Sequence, residues 1–183
     1  MAKSTSHDTG ETGSAALRDL TPMSFAFVAH RGQKRKYIGS PYTDHLAEVA
    51  GLTGAVAFKP GFGGDPETAI AVAWLHDCVE DVGVTLDDIE ARFGRAVRDG
   101  VALLSDLETG NRATRQRLKR ERLAAAPAWV QTIKVADVIS NTSSILEHDP
   151  PFARVYVDEK VALLEVLKHA DAELVGIARV ISG

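Results

Sequence analysis

One cysteine among 183 residues, Cys78, excludes an intrachain disulfide framework. Such sparing use fits a reducing, cytoplasmic setting. Residues 1 to 20 contain no apolar segment, so no secretory leader is expected, and no apolar run reaches the length of a membrane span. Basic residues are not in excess. The 21 Lys and Arg stand against 25 Asp and Glu, a net charge of -4, which argues against a bulk nucleic-acid binder but not against a local basic pocket. Alternating apolar and polar residues, the mark of half-buried strands, are missing too, as are internal repeats. What remains is a soluble intracellular chain with no membrane or nucleic-acid partner. Its 45% hydrophobic composition suffices for one domain with a real core.

Residues 1 to 20 read as a disordered tail in which His7 is a bystander, and 21 to 183 as a single all-α domain. Thr21-Pro22 is a cap followed by proline and starts a helix through His30. A polar loop, Gly32 to Tyr42, precedes a second helix from Asp44 to Phe58. Asp65-Pro66 repeats the cap-and-proline signal and opens a third helix through Val82. Thr85-Leu86-Asp87-Asp88 resembles a capping box and starts a short helix ending near Phe93-Gly94. Further helices are expected from Arg95 to Leu104, from Asn111 through Ala125, and from Pro127 to His148, where Asp149-Pro150-Pro151 intervenes. The last should run from Phe152 to Ile181.

The segment Ala71-Val72-Ala73-Trp74-Leu75-His76-Asp77-Cys78-Val79-Glu80-Asp81 carries the strongest signal. At about 100° per residue, His76, Asp77, Glu80 and Asp81 share one arc, opposite Val72, Leu75, Val79 and Val82. Ala69 and Ala73 leave room beside His76. Three crowded carboxylates repel each other unless a cation or proton intervenes. A divalent metal does this and also accepts a neutral imidazole. The competing reading is a solvated acidic face with a stray histidine.

One helix cannot complete a metal shell. His45, at a helix start, and Asp137, an acid interrupting the apolar run Ile133-Lys134-Val135-Ala136, are suited to finish it. His30 is an alternative ligand position, better read as a packing or hydrogen-bonding histidine. His148 and His169 have no acidic company. Two imidazoles with two carboxylates suit Mn²⁺, Fe²⁺ or Zn²⁺ better than Ca²⁺, and a six-coordinate ion so held keeps positions open for water and substrate. Glu80 and Asp81, one turn on, are placed for proton transfer or water orientation. Asn141 and Ser144 extend a polar stripe from Asp137.

Cations concentrate in His30-Arg31-Gly32-Gln33-Lys34-Arg35-Lys36, a candidate phosphate clamp. A second stripe, Arg112, Arg115, Lys119 and Arg122, reads more simply as a charged surface face.

These motifs in this order, His30-x-Gly32-Gln33-x-Arg35-Lys36, Gly39-x-Pro41-Tyr42-x-x-His45, His76-Asp77-x-x-Glu80-Asp81 and Lys134-Val135-Ala136-Asp137-x-x-x-Asn141, resemble the hydrolase domain of the RelA/SpoT homologue family from Phe25 to Ser144. The resemblance implies a helical HD-domain bundle and one Mn²⁺ ion, with Fe²⁺ or Zn²⁺ as alternatives. It implies His45, His76, Asp77 and Asp137 as metal ligands, and Glu80 and Asp81 as the acids acting on the attacking water. It implies Arg35, Lys36, Tyr42, Asn141, Ser144 and, by a looser match, Tyr156 as substrate contacts. The implied partner is a small-molecule alarmone nucleotide. The implied reaction is hydrolysis of its 3′-diphosphate, releasing pyrophosphate, in a small stand-alone alarmone hydrolase compatible with a homodimer. Leu46 stands where the family has proline, Val138-Ile139-Ser140 departs from the usual run after Asp137, and the loop from Phe58 to Asp65 is longer. Guanosine and adenosine alarmones therefore both stay open. The alternatives are another nucleotide phosphohydrolase, such as a 2′-phosphatase acting on NADPH-like substrates, and a non-catalytic nucleotide-binding HD module.

Overall fold

A computed structural model describes residues 20–183. The expected tail and His7 fall on residues outside this range. The chain is all-α as expected. Among the described residues there is no strand, only an isolated bridge between Lys34 and Pro41.

Helix α1 (Pro22–Ala29) starts where Thr21 accepts the Ser24 amide at 3.2 Å. Helix α2 spans Thr43–Ala57. Helix α3 (Pro66–Leu75) is capped by Asp65, whose carboxylate accepts the Thr68 amide at 2.8 Å. A single turn, α4 (Cys78–Asp81), follows. Helix α5 (Leu86–Phe93) begins with a reciprocal capping box between Thr85 and Asp88. Helices α6 (Arg95–Leu104), α7 (Arg112–Ala124), α8 (Ala128–His148), α9 (Pro150–Leu164) and α10 (Ala172–Ser182) complete the described chain.

Helix α8 is the axis of the fold. It touches α2, α3, α6, α7, α9 and α10, and every residue from Val130 to Ser140 is buried. A helix covered on all sides must be apolar all round, or must pair each polar group it carries. Asp137 and Lys134 therefore sit in the interior by construction. Helix α3 packs between α2, α1 and α6 and brings Ala69, Val72, Ala73 and Leu75 into the same core.

Two expected continuous helices are broken. The third was expected to run through Val82, but it ends at Leu75 and restarts at Cys78. The His76 imidazole supplies the reason. Its Nδ1 lies 2.7 Å from the Ala73 carbonyl, the acceptor that the Asp77 amide would use in an unbroken helix. The last helix was expected to span Phe152 to Ile181, and it is interrupted between Leu164 and Ala172. There the backbone finds partners on α8 instead. The His169 amide donates to Gln131 Oε1 and the Asp171 amide to Thr132 Oγ1, both at 3.0 Å, while Asp171 caps α10 through the Glu173 and Leu174 amides. Pro150 and Pro151 form the first turn of α9 behind the Asp149 cap, where they replace amides that would have no helical partner.

Candidate metal centre and adjoining cavity

The first turn of α2 carries His45, which is fully buried. Its Nδ1 faces the Ser140 hydroxyl at 2.8 Å, and that hydroxyl donates onward to Glu48 at 2.5 Å. A hydroxyl that donates to a carboxylate is free to accept, so a neutral His45 keeps its proton on Nδ1 and turns the Nε2 lone pair inward. The Ala73 carbonyl fixes the same tautomer in His76. Both Nε2 atoms are buried without a hydrogen-bond partner.

Two carboxylates face these nitrogens. Asp137 Oδ1 lies 3.4 Å from His45 Nε2 and 3.9 Å from His76 Nε2, and Asp77 Oδ2 lies 3.4 Å and 3.1 Å from the same two atoms. The four side chains expected from the sequence thus converge, although they come from two helices and a helix break. The helix break matters, because it redirects His76 and Asp77 toward His45 and Asp137 instead of leaving them on one arc with Glu80 and Asp81. Orphaned imidazole nitrogens opposite carboxylates fit a divalent cation, and His45, His76 and Asp137 form a group able to hold one.

The electrostatics show what an ion would replace. Burial pulls the His45 pKa down, but contacts with Asp137 and Asp77 outweigh it and hold the value at about 9. The His76 value is likewise raised, with Asp77 overcoming burial. Burial would raise both carboxylates. Asp77 is nevertheless held well below the ordinary range by His76 and His45, and Asp137 by Lys134 and the same two imidazoles. Without a cation, protons on the two imidazoles balance the acids.

Each ligand candidate is steadied from behind. Tyr42 donates its hydroxyl to Asp77 Oδ2 at 2.6 Å. Asn141 donates to Asp137 Oδ1 at 2.7 Å, and Lys134 sits 2.8 Å from Asp137 Oδ2. His30 is not a ligand candidate in this geometry. It stacks on Tyr42, lies within 3.5 Å of the Cys78 sulfur, and meets Gln33 Oε1 at 2.6 Å. Gln33 in turn donates to Asp81 at 2.8 Å. Sequence reasoning missed Ser140, Glu48, Lys134 and Gln33 as supports. Their spacing, three residues from His45, Asp137 or His30, was the available signal.

The two acids expected to act as a pair have different partners. Asp81 is tied to Gln33. Glu80 accepts the Asp106 amide at 2.9 Å and lines a cavity of about 270 Å³ with Asp106, Glu108, Arg115, Gln116 and Lys119. Glu80 is exposed by area, yet atoms crowd its carboxylate enough that desolvation, helped by Asp106 and Asp77, raises its pKa.

Of the six expected substrate contacts, Arg35, Lys36, Tyr42, Asn141 and Ser144 line one cavity of about 260 Å³, together with Tyr37, Ile145 and Phe152. Arg35 is oriented by the Ser140 carbonyl at 2.6 Å and by Glu48. Tyr37, anchored by its hydroxyl to Asp149 at 2.8 Å, and Phe152 give the cavity aromatic walls that the sequence did not reveal. Tyr156 is not among the lining residues and is buried. The second basic stripe is mostly neutralised. Arg112 pairs with Glu159, Lys119 with Asp106, and Arg122 with Asp106 and Glu108.

A helical body whose His-Asp doublet is closed by a histidine and an aspartate from two other helices defines an HD-type hydrolase. The HD-domain profile matches residues 23–163, and the chain belongs to the HD-domain family. Among curated relatives, guanosine-3′,5′-bis(diphosphate) 3′-pyrophosphohydrolase MESH1 of Homo sapiens is 34% identical over 137 residues, 70% of each chain. A probable enzyme of the same description from Synechocystis is 35% identical over 127 residues, 66% of this chain but 16% of its own length. Among solved structures, a metazoan orthologue of SpoT described as hydrolysing ppGpp superposes with a TM-score of 0.78 at 23% identity, covering 97% of this chain and 96% of that one. A Listeria monocytogenes protein gives 0.62 at 22% identity, over 80% and 96%. These likenesses establish the fold. No helix among the described residues is long and apolar enough to cross a membrane.

Proposed function

We propose that residues 21–183 act as one metal-dependent phosphohydrolase domain that removes the 3′-diphosphate of alarmone nucleotides, guanosine or adenosine, as pyrophosphate. The observation that carries the proposal is the meeting of two unpartnered imidazole nitrogens with two carboxylates beside a cavity lined by Arg35, Lys36, Asn141 and Ser144. The relation to enzymes described as guanosine-3′,5′-bis(diphosphate) 3′-pyrophosphohydrolases supports the substrate class.

His45, His76, Asp77 and Asp137 would hold the ion, Mn²⁺ in this reading with Fe²⁺ or Zn²⁺ as alternatives. Bound there, such an ion supplies a more acidic water and a polarised phosphoryl oxygen. The chain's own groups do the rest. Arg35 and Lys36 offset the phosphate charge at the cavity mouth. Tyr42 and Asn141 fix the carboxylates of Asp77 and Asp137, and Ser144 with Asn141 faces the sugar or base. Glu80, whose carboxyl holds its proton more tightly than an ordinary glutamate, takes a proton from the attacking water and returns it to the leaving oxygen. Asp81, aligned by Gln33, orients that water.

The test is a Glu80→Ala variant assayed beside the parent with Mn²⁺ and the 3′-diphosphates of guanosine and adenosine nucleotides, with products separated chromatographically. The parent should release pyrophosphate. The variant should keep its metal content and lose turnover about 100-fold or more. A fully active variant removes Glu80 from the reaction, and orthophosphate as the sole product replaces the diphosphatase reading with a monoesterase.

A further inference from the structure

Ser140 departs from its neighbours on α8. Thr132 and Thr142 return their hydroxyls to carbonyls four residues back, Ala128 at 2.9 Å and Val138 at 2.6 Å, the local habit of a hydroxyl inside a helix. The buried Ser140 instead turns its hydroxyl off the helix, donating to Glu48 Oε2 at 2.5 Å and facing His45 Nδ1 at 2.8 Å. Glu48 lies one turn after His45 on α2, which packs on α8, so imidazole, hydroxyl and carboxylate form a closed path between two helices.

The same carboxylate oxygen faces a second group. Arg35 Nη1 lies 3.6 Å from Glu48 Oε2, and among the described residues no other carboxylate pairs with Arg35. Arg35 is fixed in place. Its amide donates to the Ser40 carbonyl at 2.9 Å, its carbonyl accepts the Gly39 amide at 3.0 Å, and its Nη2 donates to the Ser140 carbonyl at 2.6 Å. Glu48 itself neither belongs to the ion-holding group nor lines the cavity of Arg35. Its charge acts on the two sites in opposite senses. Behind Ser140 it makes the hydroxyl oxygen a better acceptor for Nδ1–H, and His45 Nε2 thereby a stronger donor to a cation. Beside Arg35 it offsets the positive charge that an arriving phosphate would use.

We propose that Glu48 is a positioning residue shared by the two sites: through Ser140 and His45 it strengthens binding of the divalent ion, and through Arg35 it restrains binding of phosphate. The proposal rests on the metal-dependent phosphohydrolase reading for the identity of the two ligands. Glu48 touches neither of them, and it makes or breaks no bond.

The experiment titrates Mn²⁺ alone and, separately, inorganic pyrophosphate alone into the chelator-treated full chain by calorimetry at one pH. It compares the parent with Glu48→Gln, Ser140→Ala and the double variant, each checked for native helicity by circular dichroism. Glu48→Gln keeps an acceptor for the Ser140 hydroxyl and removes the charge. It should weaken Mn²⁺ binding about fivefold, the difference between a charged and a neutral hydrogen-bond partner. It should also tighten pyrophosphate binding, by only about threefold because the Glu48 side chain is 44% exposed and its charge is screened. Ser140→Ala should weaken Mn²⁺ about 10- to 100-fold without tightening pyrophosphate, since Glu48 stays beside Arg35. In the double variant, Mn²⁺ affinity should match that of Ser140→Ala, because Glu48 reaches His45 only through that hydroxyl. A merely structural loss would lower both affinities together, so the opposite signs in Glu48→Gln mark the positioning role. Any one of three results overturns the proposal: an unchanged Mn²⁺ affinity in Glu48→Gln, an unchanged or weaker pyrophosphate affinity in that variant, or a further fivefold loss of Mn²⁺ when it is added to Ser140→Ala. The expected pattern in a protein that releases pyrophosphate from neither nucleotide leaves the role of Glu48 standing and removes the alarmone reading.

Discussion

Replacing Asp137 with asparagine tests the central electrostatic argument without requiring a substrate. Asp137 is 6% exposed and its Oδ2 lies 2.8 Å from the ammonium of Lys134, itself 7% exposed. The exchange keeps shape and volume, so no cavity opens, but it leaves a buried ammonium and two imidazoles short of one negative charge. Removing one partner of a buried ion pair costs about 3–5 kcal/mol, because the other charge stays desolvated. Asp106 and Asp77 still act on Lys134, which places the expected loss at the lower end, about 3 kcal/mol. For a chain of this size that corresponds to a fall in Tm of roughly 6–12 °C. Urea denaturation in the presence of a chelator isolates this effect from ligand stabilisation. If the loss comes from the stranded ammonium, Lys134→Met in the Asp137→Asn background should recover most of it, giving a coupling energy of about 2 kcal/mol in a double-mutant cycle. A coupling below about 0.5 kcal/mol would refute the reasoning, since the two charges would then be independent.

Tyr42→Phe removes the hydroxyl that holds Asp77 Oδ2 at 2.6 Å and should weaken Mn²⁺ binding about 10- to 100-fold by calorimetric titration, with an unchanged affinity contradicting the positioning role. Gly100→Ala drives a Cβ to within 2.6 Å of the Trp129 ring and 2.7 Å of Val72, so thermal denaturation should show a loss of about 1–3 kcal/mol, and a wild-type Tm would mean that Trp129 moves aside freely. In the metal-free protein the imidazole of His45 has its pKa raised from 6.5 to about 9, so the stability it contributes is complete below 6.5 and disappears as pH rises through 9. Asp77 and Asp137 have lowered values and act in the opposite sense, contributing above the ordinary aspartate range and losing that contribution in acid. Tm in chelator should therefore fall from neutral to alkaline pH, whereas metal affinity should rise over the same interval because ligation needs neutral imidazoles; parallel behaviour of the two would count against a shared site.

The sequence by itself determined the helical class, most of the helix starts, and the chemistry of the centre. Caps are local: Thr21, Asp65, Thr85 and Asn111 each bond to an amide three residues on, so their signals survive without knowledge of the fold. Ligand candidates were legible for a related reason. An acid such as Asp137 in a run of valine, isoleucine and alanine has no inexpensive place in water or in the core unless it has a partner. Tertiary structure decided what local periodicity could not encode. The break at His76 arises because its imidazole takes the Ala73 carbonyl while Nε2 reaches toward carboxylates, one of them from a helix some sixty residues away in sequence. The break before Ala172 depends on Gln131 and Thr132 offering hydrogen bonds from α8. These events redirect side chains. Glu80 and Asp81 share an arc on an ideal wheel, but the structure sends one to the Asp106 amide and the other to Gln33. They also bury Tyr156 with the Lys160 ammonium 4.7 Å from its ring centre, a placement set by how α9 lies on α8, since residue spacing along one helix says which side chains share a face but not what that face meets.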